Sequence, residues 1–281
     1  MYKIVRKEQL NKDVTLMEIK APFVSRKAEP GQFIILRVND EGERIPLTIA
    51  DFNREKETVT IIFQIAGATT MLLNEKCEGE YITDFVGPLG RATNCDGIKN
   101  VCIVGGGVGC AIAYPLAKKF KALGANVTSI TGFKNEGAVI LEKEFTASSD
   151  TYVLVTDDGS YKQKGLVTDA LKKLIDGGHT FDEVIAIGPV PMMKYVSLLT
   201  KEYGIKTVVS MNPIMVDGTG MCGACRLDVG GETKFACIDG PEFDGHLVDF
   251  DGLMKRNRLY QDFEKQKREE HCNLFKQEVK A

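Results

Sequence analysis

The pattern of apolar and polar positions changes near Gly97. Before this point, short runs rich in β-branched and aromatic residues alternate with turn residues, which is typical of an antiparallel β barrel. The strands predicted in this part cover residues 14–19, 33–38, 58–65 and 81–86, with one short helix over 70–75.

After Gly97, short apolar runs alternate with stretches in which apolar residues recur at helical spacing. This alternation predicts a parallel sheet with helices on its faces. The predicted strands cover residues 101–104, 127–130, 151–155 and 183–187, and the predicted helices cover 111–123, 166–174 and 190–203.

The chain changes character again at Met211, where it becomes rich in glycine and cysteine and predicts loops. We therefore expect a β barrel plus an α/β fold divided into four parts. These are an N-terminal barrel over 1–96, a parallel-sheet domain over 97–210, a small cysteine-rich loop domain over 211–250, and a charged C-terminal helix or tail over 251–281.

Composition and charge exclude several classes of function. The formal net charge of -3 predicts no nucleic-acid partner. No apolar run approaches the roughly 20 residues needed to cross a membrane, and the N-terminus lacks the apolar core of a signal peptide. We expect a cytoplasmic protein, in which the eight cysteines serve as ligands or redox groups rather than disulfides.

The most informative motif is a set of potential metal ligands with the spacing of plant-type 2Fe–2S proteins, C-x4-C-x2-C followed by a distant Cys. An aspartate occupies the first position, and the four residues are Asp217, Cys222, Cys225 and Cys237. Glycines between them permit positive φ and let the backbone approach a cluster. A zinc site and unligated cysteines are the alternatives. Asp217 is either the fourth ligand or a surface turn residue.

A glycine-rich turn follows the first predicted strand of the α/β domain and precedes a helix. Such turns let the backbone approach a pyrophosphate, which the N-terminus of the helix also attracts. Cys110 replaces the last glycine of G-x-G-x-x-G, and no acidic residue ends the next strand, which argues against the two-half Rossmann fold. A tight structural turn is the alternative. The residues proposed to bind a nucleotide are Gly105, Gly106, Gly107 and Gly109.

Two further loops follow predicted parallel strands, and ligands bind at the carboxyl ends of such strands. We expect both loops to open onto one crevice, although each can also be a simple connection. Their candidate binding residues are Thr156, Asp157 and Asp158 in the first loop and Gly188, Pro189 and Met192 in the second.

The order of barrel, nucleotide domain and cluster loop resembles the ferredoxin–NADP reductase superfamily. Within it, the chain resembles the electron-transfer subunit of dihydroorotate dehydrogenase and sulfide dehydrogenase. It resembles most the small subunits of electron-bifurcating NADH-dependent reduced ferredoxin:NADP oxidoreductases. The resemblance implies an NAD(P)H-linked flavoprotein with FAD and a 2Fe–2S cluster, in which hydride transfer needs no catalytic acid or base.

The resemblance also implies which barrel residues bind FAD. Arg44 pairs with the pyrophosphate, whereas on its own it reads as a surface arginine of a strand. The isoalloxazine ring is lined by Pro46, Leu47 and Thr48. The ribityl and adenosine part contacts Phe63, Gln64 and Ile65. A phosphate lies at Gly67, Thr69 and Thr70, and the loop beginning at Gly87 closes the barrel.

For the partners, the resemblance implies a heterodimer with a larger subunit that carries its own flavin and 4Fe–4S clusters, and with ferredoxin as an indirect partner. The cluster is expected at the far end of the nucleotide domain, facing outward.

Lys134 is the one cation at the end of the second α/β strand, so NAD(H) is favoured, with NADP(H) possible. The alternatives are a dihydroorotate or sulfide dehydrogenase subunit, or a non-enzymatic zinc-knuckle adaptor. Asp217 counts against the dihydroorotate dehydrogenase reading, since that family has Cys at this position.

Overall fold

The computed structural model describes residues 1–278, with side chains through residue 269. The last three residues of the predicted C-terminal helix or tail, 279–281, lie outside the described residues. Within the described part, no helix is long and apolar enough to cross a membrane.

The first part of the chain forms a seven-stranded antiparallel sheet that curls into a barrel, with strand order β6-β1-β2-β5-β4-β3-β7. Its interior is filled by apolar residues that alternate with exposed ones, as in β2, where Met17 and Ile19 are fully buried. The elements are β1 (Tyr2–Asn11), β2 (Val14–Lys20), α1 (Pro22–Lys27), β3 (Phe33–Arg37), β4 (Arg44–Asn53), β5 (Thr58–Gln64), α2 (Ala68–Glu75), β6 (Tyr81–Ile82) and β7 (Asp84–Leu89).

The sequence pattern did not reveal β1 or β4. In β1, Ile4 alone is fully buried and the other side chains are exposed or partly buried, so the strand lacks a clear alternation. In β4 the first half is exposed or only partly buried, so it lacks the alternation of buried and exposed residues that marks a strand. Both strands form through pairing with neighbours, which local composition does not report.

The second part is a mixed sheet with strand order β11-β10-β9-β8-β12-β13-β16, in which all pairs but the last are parallel. The elements up to β13 are β8 (Asn100–Gly106), α3 (Cys110–Ala122), β9 (Asn126–Phe133), α4 (Glu142–Ser148), β10 (Thr151–Thr156), β11 (Gln163–Lys164), α5 (Val167–Asp176), β12 (Glu183–Ile187), α6 (Val190–Glu202) and β13 (Thr207–Ser210). The central strands β8 and β12 are buried on both faces, as their apolar runs predict.

The cysteine-rich segment contains a hairpin that the sequence pattern left as loop, and its last strand joins the parallel sheet antiparallel to β13. The elements are β14 (Arg226–Val229), β15 (Glu232–Phe235), β16 (Glu242–Asp244), α7 (Phe250–Asn257) and α8 (Gln261–Glu278). The predicted fold class is confirmed. The exact domain boundaries stay a prediction.

One carboxylic acid lies where the barrel, the α/β sheet and the cysteine-rich segment meet. Glu242 of β16 lies beside the connection between barrel and α/β sheet, where Thr93 Oγ1 donates a hydrogen bond to its Oε1 over 2.6 Å. Burial raises the pKa of Glu242 to about 7, and the nearby carboxylate of Glu183 acts in the same direction.

This pKa predicts how stability depends on pH. A carboxyl whose folded pKa exceeds its ordinary value of 4.5 holds its proton more tightly in the native state, so stability falls as pH rises from about 4.5 to about 7. We expect the thermal midpoint of Glu242→Gln to change less with pH over this range than that of wild type. We also expect the variant to be more stable than wild type at pH 8. Glu202→Gln, at an exposed position in α6, is the control. An unchanged slope in Glu242→Gln would contradict the assignment.

Candidate functional site

The strand predicted to bind FAD has two different faces. In the antiparallel pairing of β3 and β4, Pro46 lies opposite Ile35 and Thr48 lies opposite Phe33. Directly opposed residues share a face, and here this face points away from the barrel interior. Leu47 instead packs against the barrel core. Arg44, at the exposed start of β4, is free to meet a phosphate.

The other residues predicted to bind FAD also include both exposed side chains and side chains that pack in the barrel core. Phe63 is 1% exposed within the barrel core, so its side chain does not reach a ligand. Gln64 is exposed, whereas Ile65 packs against the barrel. The side chain of Leu47 likewise faces the core, so only Pro46 and Thr48 of the predicted isoalloxazine residues share the outer face.

The predicted phosphate site lies at the start of α2. Thr70 Oγ1 accepts hydrogen bonds from the N–H groups of Ala66 and Gly67, each over 3.0 Å, and so fixes this turn rather than pointing outward. The N–H groups of the first helical turn, including that of Thr69, have no partner inside the helix. Gly87 lies in β7, where a side chain would meet Ile34 of β3 at 2.7 Å.

The glycine turn and the loop after β12 are in direct contact. A Cβ on Gly106 would lie 2.4 Å from Met192 Sδ, and one on Gly109 would lie 2.5 Å from Ile187 O. Gly188 approaches the carbonyl oxygen of Gly106 in the same way, at 3.0 Å. The turn, which includes Gly105 and Gly107, also touches β5 of the barrel. The glycine turn after β8 and the loop after β12 are therefore neighbours, and the turn lies beside the barrel.

The loop after β10 lies further away, because β9 and β8 separate β10 from β12. Thr156 is fully buried, and its hydroxyl donates to Tyr161 O over 2.8 Å. Asp158 accepts hydrogen bonds from the backbone and hydroxyl of Ser160, which lower its pKa. The N–H of Asp157 donates to Phe133 O at the end of β9. These residues form a turn at the same edge of the sheet without reaching the Gly188 loop.

The close packing of the glycine turn predicts the effect of one methyl group. Gly109→Ala places a Cβ within 3 Å of the backbone atoms of Ile187 and Gly188, and only a shift of one loop against the other relieves this overlap. Overpacking of this kind costs about 1–3 kcal/mol. We expect kcat/KM for NADH to fall about tenfold or more, measured with ferricyanide as acceptor. Gly137→Ala, where the nearest contact is an ordinary 3.5 Å, is the matched control, and equal kinetics for both variants would contradict the prediction.

Two of the four predicted cluster ligands lie together. The sulfur atoms of Cys225 and Cys237 are 3.3 Å apart and buried, with no disulfide between them. Burial and the hydrogen bond between them raise the pKa of the Cys237 thiol, and the backbone N–H of Gly220 points at its sulfur. Gly218, Gly220 and Gly223 all have positive φ, as predicted.

The other two predicted ligands stand apart, and among the described side chains no three acidic, His or Cys residues are close enough to share a metal ion. Cys222 is exposed. Asp217 Oδ2 accepts hydrogen bonds from the N–H and hydroxyl of Thr219, which lower its pKa, and the charge of Arg44 acts weakly in the same direction. Buried thiol sulfurs in a glycine-rich loop are compatible with a 2Fe–2S cluster, and the predicted four-ligand set would require Cys222 and Asp217 to approach them.

The cluster loop rests on the barrel, which corrects the expectation that it lies at the far end of the α/β domain. A Cβ on Gly218 would lie 2.7 Å from Ile35 Cγ1 and 3.2 Å from Leu89 Cδ1. Ile35 is the residue that pairs with Pro46 on the outer face of β4. The cluster loop and the predicted flavin face are therefore neighbours on one barrel surface.

This architecture defines a class of protein: a reductase with a flavin-type barrel, a nucleotide-binding sheet and an attached iron–sulfur segment. Residues 212–249 match the family model described as the iron–sulfur cluster binding domain of dihydroorotate dehydrogenase B. The chain belongs to the family of dihydroorotate dehydrogenase B electron-transfer subunits and their homologues.

Relatives of known name support this membership. A homolog of the dihydroorotate dehydrogenase B (NAD(+)) electron transfer subunit from Thermotoga maritima is 48% identical over 93% of this chain and 92% of its own length. The corresponding subunit from Bacillus velezensis is 39% identical over 83% of this chain and 91% of its own.

Solved structures agree with the same fold. A chain from a study of flavin-based electron bifurcation by an NADH-dependent reduced ferredoxin–NADP oxidoreductase superposes with a TM-score of 0.91 at 46% identity, covering 96% of this chain and 97% of that one. The cytochrome b5 reductase domain of Ulva prolifera nitrate reductase, with a TM-score of 0.60 and 16% identity, shares the fold alone.

These comparisons confirm the predicted resemblance, the oxidoreductase class and the cofactor set of FAD, 2Fe–2S cluster and NAD(P)H. They also confirm an electron-transfer subunit, which implies a partner subunit. The sequence reasoning missed Ile35 and Leu89, the residues on which the cluster loop rests. Their only sequence signal is an apolar residue in a strand, which every barrel strand shares.

Proposed function

We propose that this chain moves electrons between NAD(H) and a larger partner subunit through FAD and a 2Fe–2S cluster, in an electron-bifurcating NADH-dependent ferredoxin:NADP oxidoreductase. The observation that carries the proposal is the position of the cluster loop against the outer face of β3, one strand from Pro46 and Thr48. The high structural similarity to a chain of such an oxidoreductase supports the choice of complex.

When bound, FAD would supply chemistry that links two-electron hydride transfer with single-electron transfer, and a 2Fe–2S cluster would supply single-electron transfer. The chain binds and orients them. Arg44 holds the FAD pyrophosphate, and Pro46 and Thr48 support the flavin ring. The turn Gly105–Gly109 and the Gly188–Met192 loop bind the dinucleotide. Cys222, Cys225, Cys237 and Asp217 hold the cluster.

Asp217 is compatible with a ligand role. All of its hydrogen bonds within the described residues go to Oδ2, so Oδ1 remains available. The hydrogen bonds of Thr219 keep the carboxylate ionised and orient it, as partners behind a metal ligand do. We propose Asp217 as the fourth ligand on this basis.

NAD(H) is the proposed nucleotide. The backbone N–H of Asp158 donates to Lys134 O, so the acidic turn after β10 lies beside the single lysine that ends β9. Carboxylates near this position disfavour a ribose 2′-phosphate, which needs cations. The partner is proposed to carry a flavin and 4Fe–4S clusters and to exchange electrons with ferredoxin. We place this heterodimer in the cytoplasm, because the seven cysteines that the structure describes are all free thiols.

The electron-transfer subunit of dihydroorotate dehydrogenase is the second candidate. The match of residues 212–249 to its cluster domain favours it. Asp217 counts against it, because the resemblance implies Cys at this position. Reduction of NAD+ that depends on dihydroorotate, which is oxidised to orotate, in the purified complex would decide for this candidate.

The first test is the content of iron, acid-labile sulfide, zinc and flavin in anaerobically purified protein, with its visible spectrum. We expect about two iron and two sulfide per FAD, the composition of one 2Fe–2S cluster. Asp217→Cys should retain iron and sulfide and change the spectrum of the reduced cluster. Zinc without sulfide, or a protein without flavin, would instead support a zinc-knuckle adaptor.

A further inference from the structure

Three arginines from three different elements donate hydrogen bonds to the main chain of the cysteine-bearing loops. Arg256 Nη2 donates to Ala224 O over 3.1 Å, and Arg226 Nη1 donates to Gly223 O over 3.1 Å. Arg91 Nε donates to Ile238 O over 3.0 Å. The three acceptors are the two residues between Cys222 and Cys225 and the residue after Cys237. We call Arg91, Arg226 and Arg256 the arginine collar.

The collar reaches the cluster loops from separate parts of the fold. Arg91 follows β7 of the barrel, Arg226 begins β14, and Arg256 lies in the last turn of α7. Arg226 directly follows Cys225, whereas Arg91 and Arg256 come from distant parts of the chain and meet it only around the cysteines. Arg256 is half-buried, so its long side chain is committed to this contact rather than to solvent.

The charges of the collar are largely uncompensated. Arg91 lies 3.8 Å from Asp239, whose carboxylate also accepts the N–H of Phe235 over 2.8 Å. For Arg226 and Arg256, no carboxylate among the described side chains lies within ion-pair distance. A guanidinium is always protonated, so each of these residues contributes a permanent positive charge.

A positive charge beside an iron–sulfur cluster acts differently on its two redox states. The cluster and its ligands carry net negative charge, and one-electron reduction adds another negative charge without forming or breaking a bond. Nearby cations therefore stabilise the reduced state more than the oxidised state and raise the reduction potential.

We propose that Arg91, Arg226 and Arg256 hold the two cysteine-bearing loops in position and raise the reduction potential of the cluster, so that it accepts single electrons from reduced FAD. They are positioning residues, since each acts on the cluster through a backbone carbonyl and through its charge. The inference rests on the proposed function and adds residues that determine how readily the cluster is reduced.

The test is a redox titration of the purified, cluster-loaded chain followed by electron paramagnetic resonance, with Arg256→Gln, Arg226→Gln and Arg91→Gln. For the half-buried Arg256 we expect the equilibrium constant for one-electron reduction to fall about tenfold, equivalent to about 59 mV. For the exposed Arg226 and Arg91 we expect a smaller decrease, because solvent screens their charges. Arg256→Lys keeps the charge and should restore most of the potential. Arg26→Gln, which removes an exposed arginine that pairs with Glu57 on the barrel, is the control and should leave the potential unchanged.

The positioning role has its own readout. Loss of iron to a chelator should be several-fold faster in Arg256→Gln than in Arg26→Gln, because the Ala224 carbonyl loses its donor. Wild-type potential and wild-type iron retention in all three glutamine variants would overturn the proposal. A wild-type chain that binds no iron and sulfide would overturn the proposed function together with it, so the two failures are distinguished by the iron content of the wild type.

Discussion

Cys237→Ala is expected to remove the 2Fe–2S cluster while leaving the flavin reaction with NADH intact. The Cys237 sulfur lies 3.3 Å from that of Cys225 and is buried, so its loss removes half of the ligand pair that the fold brings together. Loss of a group that supports a metal ligand lowers metal affinity about 10–100-fold. Loss of the ligand itself should therefore lower cluster occupancy on the order of 100-fold or more. The measurement is iron and sulfide per FAD, with the resonance signal of the reduced cluster after anaerobic addition of NADH.

Cys102→Ala provides the matched control. Cys102 is also fully buried, in β8 of the α/β sheet, and has no predicted ligand role. Both substitutions remove one sulfur from a packed interior and create a similar cavity. NADH-dependent reduction of ferricyanide, which takes electrons directly from flavin, should survive in both. An intact cluster signal in Cys237→Ala would exclude Cys237 as a ligand.

Gly218→Ala is expected to slow electron transfer between flavin and cluster more than it slows the reduction of flavin by NADH. Gly218 has a φ of +82°, and a Cβ there would lie 2.7 Å from Cγ1 of the fully buried Ile35. The left-handed backbone costs a side chain about 1–2 kcal/mol, and the overlap with a fixed core residue costs about 1–3 kcal/mol more. The loop should therefore move away from the barrel face that also holds Pro46 and Thr48.

Gly231→Ala separates these two costs. Gly231 has the same φ of +82° in the turn between β14 and β15, but a Cβ there meets nothing within 4 Å. Rapid mixing with NADH should show flavin reduction at the wild-type rate in both variants. Cluster reduction should be slowed about tenfold in Gly218→Ala alone, the factor that corresponds to 1.4 kcal/mol. Equal rates in the two variants would show that the contact with Ile35 has no role in the relay.

Much of the fold could be predicted because its signals are local. The alternation of the barrel strands and the apolar runs of β8 and β12 follow from which faces of each strand are buried. The glycines of the cluster loop were predicted to allow positive φ, and Gly218, Gly220 and Gly223 adopt it. The hairpin β14–β15 was missed, because its short strands are mostly exposed and polar.

The candidate site was predicted less completely, because a motif does not specify where each side chain points. Leu47 and Phe63 belong to segments chosen by resemblance, yet both face the barrel core. Strand alternation sends neighbouring residues to opposite faces, so only part of a contiguous motif can line one ligand. The spacing of Asp217 is compatible with either a ligand or a turn residue. In the structure its hydrogen bonds from Thr219 go to Oδ2, so Oδ1 remains available for the ligand role.

The order of barrel, parallel sheet and cysteine loop could be predicted from residue patterns alone, together with the chemistry that the cysteines and glycines allow. These depend on residue type and on spacing within one segment. The three-dimensional packing was needed to show that the cluster loop lies against the barrel beside the face of Pro46 and Thr48, and that Arg91, Arg226 and Arg256 contact it. Apart from the bond of Arg226 to Gly223, these contacts join residues far apart in the chain, and they follow from how whole packed surfaces fit together rather than from any local pattern.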